Sequence, residues 1–201
     1  QAIRFVHLPA RDSEFEAARK SLKYHEALLL QLGLLQSRAT KEADSALVLE
    51  ESGLAMQFDK QLGFEYTGGQ QAVIAEIASD LTSGHPMHRL LQGEVGSGKT
   101  VVALRTVLNA AAKGHQSALL APTEVLAEQH YSSTIKTLGP ELATKLGVRL
   151  LKGSLNTAER KKAMLDIASG KCLLAIGTHA LIAEKVSFAD LGLVVIDEQH
   201  R

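Results

Sequence analysis

The chain has 201 residues, 45% of them hydrophobic, with 22 Lys+Arg against 22 Asp+Glu; that suffices for one core plus an extension and gives no net-charge argument for nucleic acid or membrane. A single cysteine, Cys172, excludes an internal disulfide, fits a reducing, cytoplasmic setting, and reads as a buried small hydrophobe within its apolar run. No stretch reaches the length of a membrane span, the Leu28-Leu29-Leu30 run being bounded by Glu26 and Gln31, and no signal peptide is visible.

In chain order, Ile3, Phe5 and His7 alternate ahead of Pro9, which predicts a strand over 1–10 and implies a further domain upstream. Ser13-x-x-Glu16 reads as a capping box opening a long helix that stops near residue 37. Its buried face is Phe15, Ala18, Leu22, Leu29 and Leu32. Residues 38–52 are polar and aperiodic, a linker or loop, and 54–62 suggest a short helix. Thr67-Gly68-Gly69-Gln70 offers a second capping box, followed by a helix through Val73, Ile77 and Leu81 that Gly84-His85-Pro86 ends. His85 and His88 straddle Pro86 in that turn, a poor arrangement for a metal.

Residues 87–91 read as a short apolar strand, and 99–113 as a helix stopping at Gly114. Between them stands Gly93-Glu94-Val95-Gly96-Ser97-Gly98-Lys99-Thr100, which fits G-x-x-x-x-G-K-[ST] in the strand–loop–helix setting that gives the pattern meaning. Gly93, Gly96 and Gly98 allow successive amides to face phosphate oxygens, and the helix N-terminus adds partial positive charge. Lys99 would reach the β- and γ-phosphates, and the Thr100 hydroxyl would ligate Mg²⁺.

Further strands are expected over 117–121, 148–151, 172–176 and 193–196, with helices over 124–138, 141–146, 157–169 and 180–184. Short unalternating strands between amphipathic helices predict an α/β fold, a parallel sheet covered on both faces, whose ligands gather at the strand C-termini. The last strand ends in Asp197-Glu198. An acid delivered beside a phosphate loop is the Walker B arrangement, with Asp197 holding Mg²⁺ and Glu198 orienting the attacking water.

These motifs carry a resemblance. Asp197-Glu198-Gln199-His200 resembles the DExH box of superfamily 2 helicases. Ala121-Pro122-Thr123-Glu124-Val125-Leu126-Ala127-Glu128-Gln129-His130 looks like motif Ia of the RecG-type ATP-dependent DNA helicases. The phosphate loop, Gly177-Thr178-His179-Ala180-Leu181-Ile182 and the run 191–201 resemble further motifs of that family. The resemblance covers nearly the whole chain: it implies a helical linker from a wedge domain over 1–60 and a RecA-like first motor lobe over 61–201, cut after Walker B.

The resemblance implies ATP and Mg²⁺ as cofactors and branched DNA as partner, with a bacterial or plastid origin. Phe64, Thr67 and Gln70 match the adenine-side motif; Gln70 would pair with the adenine edge, or else only close its capping box. Gly63 stands where the family usually has proline, and Tyr66 replaces a common leucine. Pro122 and Thr123, Gly153 and Ser154, and Thr178 and His179 match loops that grip the DNA backbone, although Ser154 and Thr178 also suit ordinary helix caps. Gln199 and His200 would couple nucleotide to DNA. A second RecA-like lobe is expected to supply an arginine finger, so this chain alone would bind nucleotide weakly and fail to unwind DNA. The transcription-repair coupling factor and the primosomal helicase have similar lobes, from which Gln199 and the 177–181 block point to RecG. A non-catalytic nucleotide switch is the alternative from another class, against which Glu198 argues.

Overall fold

The computed structural model describes residues 2–42, 45–94, 96–183 and 186–198. Two compact units divide the chain, 1–46 and 47–201. The first holds helices α1 (Ala2–His7) and α2 (Asp12–Glu42). The strand expected over 1–10 is thus a helix: three alternating positions are too few to separate a period of two from one side of a helical turn. α2 starts at Asp12, so Ser13 sits in its first turn and does not cap it. The Glu14 carboxylate instead accepts the Ala10 N–H at 2.9 Å. The helix also runs to Glu42, past the expected stop near 37, which leaves 45–52 as the irregular stretch. Along α2 the face expected to be covered is covered only at its start. Ala18 is 4% exposed, whereas Leu29 and Leu32 are 70% and 47% exposed.

In the second unit α3 (Gly53–Gln61) is capped by Ser52, whose hydroxyl accepts the Ala55 N–H at 3.1 Å. α4 (Gly68–Thr82) opens with the expected reciprocal box: Thr67 Oγ1 accepts the Gln70 N–H, and Gln70 Oε1 accepts the Thr67 N–H at 2.9 Å. Strands and helices then alternate as α5 (Lys99–Ala112), β1 (Gln116–Leu120), α6 (Glu124–Leu146), β2 (Arg149–Leu151), α7 (Thr157–Ala168), β3 (Leu174–Gly177) and β4 (Leu191–Ile196). All pairings are parallel, in the order β2-β3-β1-β4.

Successive strand residues feed two cores, as the pleat requires. Leu119, Leu174, Ile176 and Leu193 join Leu104 and Leu108 of α5 and Leu138, Leu142 and Leu146 of α6 on one face. Leu120, Ala175 and Leu151 meet Ala163 and Ile167 of α7 on the other. The α/β architecture with helices on both faces is therefore the one implied by the pattern. Cys172 is buried there, and burial pushes its thiol up to about 11. Among the described residues no helix is long and apolar enough to cross a membrane.

Two further elements differ from expectation, and one break falls where it was expected. Residues 87–91 join no ladder, because an extended apolar run becomes a strand only when its backbone finds a partner; Leu90 is 75% exposed. The two helices expected over 124–138 and 141–146 are present within α6, divided as expected by the non-helical backbone of Gly139 (φ 69°) ahead of Pro140, which lacks an N–H. The helix expected over 180–184 is only a 3₁₀ turn, His179–Leu181, and Glu184 lies outside the described residues.

Candidate nucleotide and nucleic-acid sites

The turn 113–115 reverses the chain between α5 and β1, so the α5 N-terminus lies at the edge where the parallel strands end. The phosphate loop therefore shares that edge with every loop that follows a strand. Gly96 and Gly98 have φ of 84° and 82°, left-handed backbone that favours glycine. At Gly93 a Cβ would lie 2.7 Å from Ser97 Oγ, so a side chain there would make Ser97 turn away. The Lys99 ammonium crosses the loop and donates to the carbonyls of Gly93 and Glu94 at 2.7 and 2.8 Å. Thr100 follows it in the first turn of α5.

Gln70 has both roles of its amide engaged. Its Oε1 closes the capping box, while Nε2 donates to the Ser97 carbonyl at 2.9 Å. It thereby ties the start of α4 to the phosphate loop, so pairing with a base would require Nε2 to leave Ser97. Phe64 is 54% exposed, just upstream. The intervening Tyr66 donates its hydroxyl to Asp59 at 2.6 Å, and Asp59 accepts Arg105 Nε of α5 at 3.0 Å. Arg105 also pairs with Glu51. Burial, then the Asp59 bond, pushes the Tyr66 phenol upward, so it stays a neutral donor. Tyr66, one of the two departures from the expected pattern, is thus linked through Asp59 to Arg105 of α5.

At the end of β4 the Asp197 N–H donates to the Leu120 carbonyl at 2.9 Å, which continues the β1–β4 pairing one step further. Its Oδ2 lies 2.6 Å from Nε2 of His130, on α6. Glu198 is the one non-glycine residue with positive φ (52°) among those described, a strained conformation that needs its surroundings to hold it. Gln199 and His200 lie outside the described residues.

The DEAD/DEAH box helicase family matches residues 67–201. The chain belongs to that family. The ATP-dependent DNA helicase RecG of Synechocystis sp. is 45% identical to it, across 100% of this chain and 24% of that protein. RecG of Mycobacterium bovis is 43% identical, across 100% and 29% respectively. A structure of RecG bound to a three-way DNA junction superposes with a TM-score of 0.84 at 41% identity, across all of this chain and 27% of the other. The chain spans about a quarter of the length of the curated relatives it matches.

Within this helicase fold, strand order sets the order of the loops along the edge. Gly153 and Ser154 follow β2, Thr178 and His179 follow β3, Pro122 and Thr123 follow β1, and Asp197 and Glu198 follow β4. Thr123 caps α6, its hydroxyl accepting the Leu126 N–H at 3.3 Å, and Thr178 caps the 3₁₀ turn. Ser154 caps nothing: the cap of α7 is Asn156. The Ser154 hydroxyl instead donates to the Glu124 carboxylate at 2.5 Å. Sequence reasoning missed His130, Glu124 and Lys152 as part of this edge. A histidine and two charges inside or beside recognised motifs were visible, but nothing in their spacing named their partners.

Proposed function

We propose that this chain is the ATP-binding half of a motor that acts on branched DNA in the cytoplasm. The observation that carries the reading is the meeting, at one sheet edge, of a phosphate loop on the α5 N-terminus with the paired acids that end β4. ATP suits the loop, where glycines in left-handed backbone, the α5 N-terminus and Lys99 would receive its phosphates. Mg²⁺ takes one or two protein oxygens, which Thr100 in the first turn of α5 and Asp197 at the end of β4 would supply, and leaves its other positions to phosphate and water. The ion would supply charge neutralisation on the phosphates. Glu198 would orient the attacking water, while Phe64 and Gln70 sit on the base side. Gln199 and His200 would link this site to DNA.

The loops after β1, β2 and β3 present backbone amides and hydroxyls on the same edge, suited to holding DNA phosphates without reading bases. RecG is the relative whose solved complex contains a three-way DNA junction, which supports branched DNA as the partner class. A second RecA-like lobe would complete the cleft with an arginine. Alone, this chain should bind Mg–nucleotide, turn it over slowly or not at all, and leave duplexes paired. Strand separation by the isolated chain would overturn the need for that lobe.

Calorimetric titration with ADP, with and without Mg²⁺, tests the nucleotide reading: magnesium-dependent binding is expected, and none on a folded sample would refute it. His130 sharpens the same measurement. As an outer partner of a metal-holding carboxylate, its loss should weaken metal binding about tenfold. His130→Ala is therefore expected to lower the magnesium-dependent part of ADP affinity and to leave the magnesium-free part unchanged. Equal losses in both would show that His130 only supports the fold.

A further inference from the structure

Two carboxylates one turn apart on α6 clasp the loop that follows β2. Glu124 Oε2 accepts the Ser154 hydroxyl at 2.5 Å, and its Oε1 accepts the Ser154 N–H at 3.2 Å. The Gly153 amide adds to the same carboxylate. A Cβ at position 153 would stand 2.9 Å from that Oε1, so glycine admits the anion this closely. Beside it, Lys152 pairs with Glu128. Convergent amides, a hydroxyl and an ammonium form the donor set of an oxyanion site, and a phosphodiester offers it the same charge and paired oxygens as a carboxylate.

We propose that Glu124 fills the donor seat of residues 152–154 as an internal competitor, which a nucleic-acid phosphodiester must displace. The proposal rests on the reading that this edge grips DNA, and it adds which donors take a phosphate and what opposes it. Bonds from Ser154 hold the Glu124 carboxyl below the usual carboxylate range, so the competitor is an anion at neutral pH. These hydrogen bonds lie at the exposed surface, where water competes for both partners and the carboxylate can exchange. α6 also carries Glu128 on the lysine that would second the seat, so both its cationic and its amide donors are held by carboxylates from one helix. Such an arrangement lowers the affinity of the edge for arbitrary polyanions and reserves it for a backbone already positioned by neighbouring loops.

Fluorescence anisotropy of a labelled DNA duplex, titrated with this chain across a salt series, tests the proposal. Glu124→Gln keeps the shape and removes the charge. It is expected to bind about fivefold tighter at low salt, as removal of one like charge beside a bound phosphate implies. Unchanged or weaker binding by a folded Glu124→Gln overturns the competition. Ser154→Ala and Lys152→Ala report on the edge itself, and both should weaken binding. If neither does, the DNA-gripping edge and the seat fall together; if both do while Glu124→Gln fails to tighten binding, only the competitor role falls. Should Glu124→Gln melt early, Glu128→Gln carries the test through the released Lys152, with tighter binding expected and unchanged binding counting against the proposal.

Discussion

Replacing Lys99 with alanine is expected to weaken Mg·ADP binding roughly 30- to 150-fold, or about 2–3 kcal/mol, the range for removing one partner from a desolvated charge pair. Two roles of this ammonium set the size of the effect. It donates to the Gly93 and Glu94 carbonyls and so holds the mouth of the loop closed on itself. It is also the one cation within the loop, which makes it the counter-charge for whatever anion the α5 amides receive. Calorimetry with and without Mg²⁺ checks the result on a sample whose thermal melt matches the parent. A loss below about threefold, the scale of an exposed charge, would remove Lys99 from phosphate binding.

Phe58→Ala is expected to lower stability by about 3–5 kcal/mol. Phe58 is fully buried on α3, within the core that also takes Leu104 and Leu108 from the phosphate helix. Its removal deletes a large apolar surface where α3, α5 and the sheet interlock, and those close-packed walls cannot all collapse into the void. Neighbours on α3 face different environments: Met56 is 50% exposed, so Met56→Ala should stay within about 0.5 kcal/mol of the parent. Urea unfolding followed by circular dichroism separates the two. Equal midpoints would mean that α3 packs more loosely than its burial implies.

Legibility of the chain followed the range of the interactions involved. The capping box at Thr67 and Gln70 needs only a three-residue spacing, and it formed as read. The four strands that pair were all located to within two residues or so, because each is a short apolar run between clear turn signals. Residues 87–91 have the same composition, yet strand formation depends on a lateral partner that composition does not encode. The helix over 2–7 escaped because its apparent alternation covered too few residues to define a period. Leu29 and Leu32 follow helical spacing, but spacing names a face and not what covers it. At the site, the phosphate loop and the acids ending β4 were visible as local patterns. The bonds from Glu124 to Ser154 and from His130 to Asp197 join positions 30 and 67 residues apart, and only the sheet order brings them together.

Those two bonds belong to the same helix. Glu124 opens α6 against the loop after β2, and His130, six residues on, meets the acid that ends β4. At 1.5 Å per residue the two contacts are about 9 Å apart along a single stiff rod. Across the sheet, three strand spacings of about 4.8 Å separate the outermost loops, roughly 14 Å, too far for direct contact between a group held on one and a group held on the other. α6 bridges that gap mechanically. The first two turns of α6 thus hold side-chain contacts to both ends of the sheet edge at once.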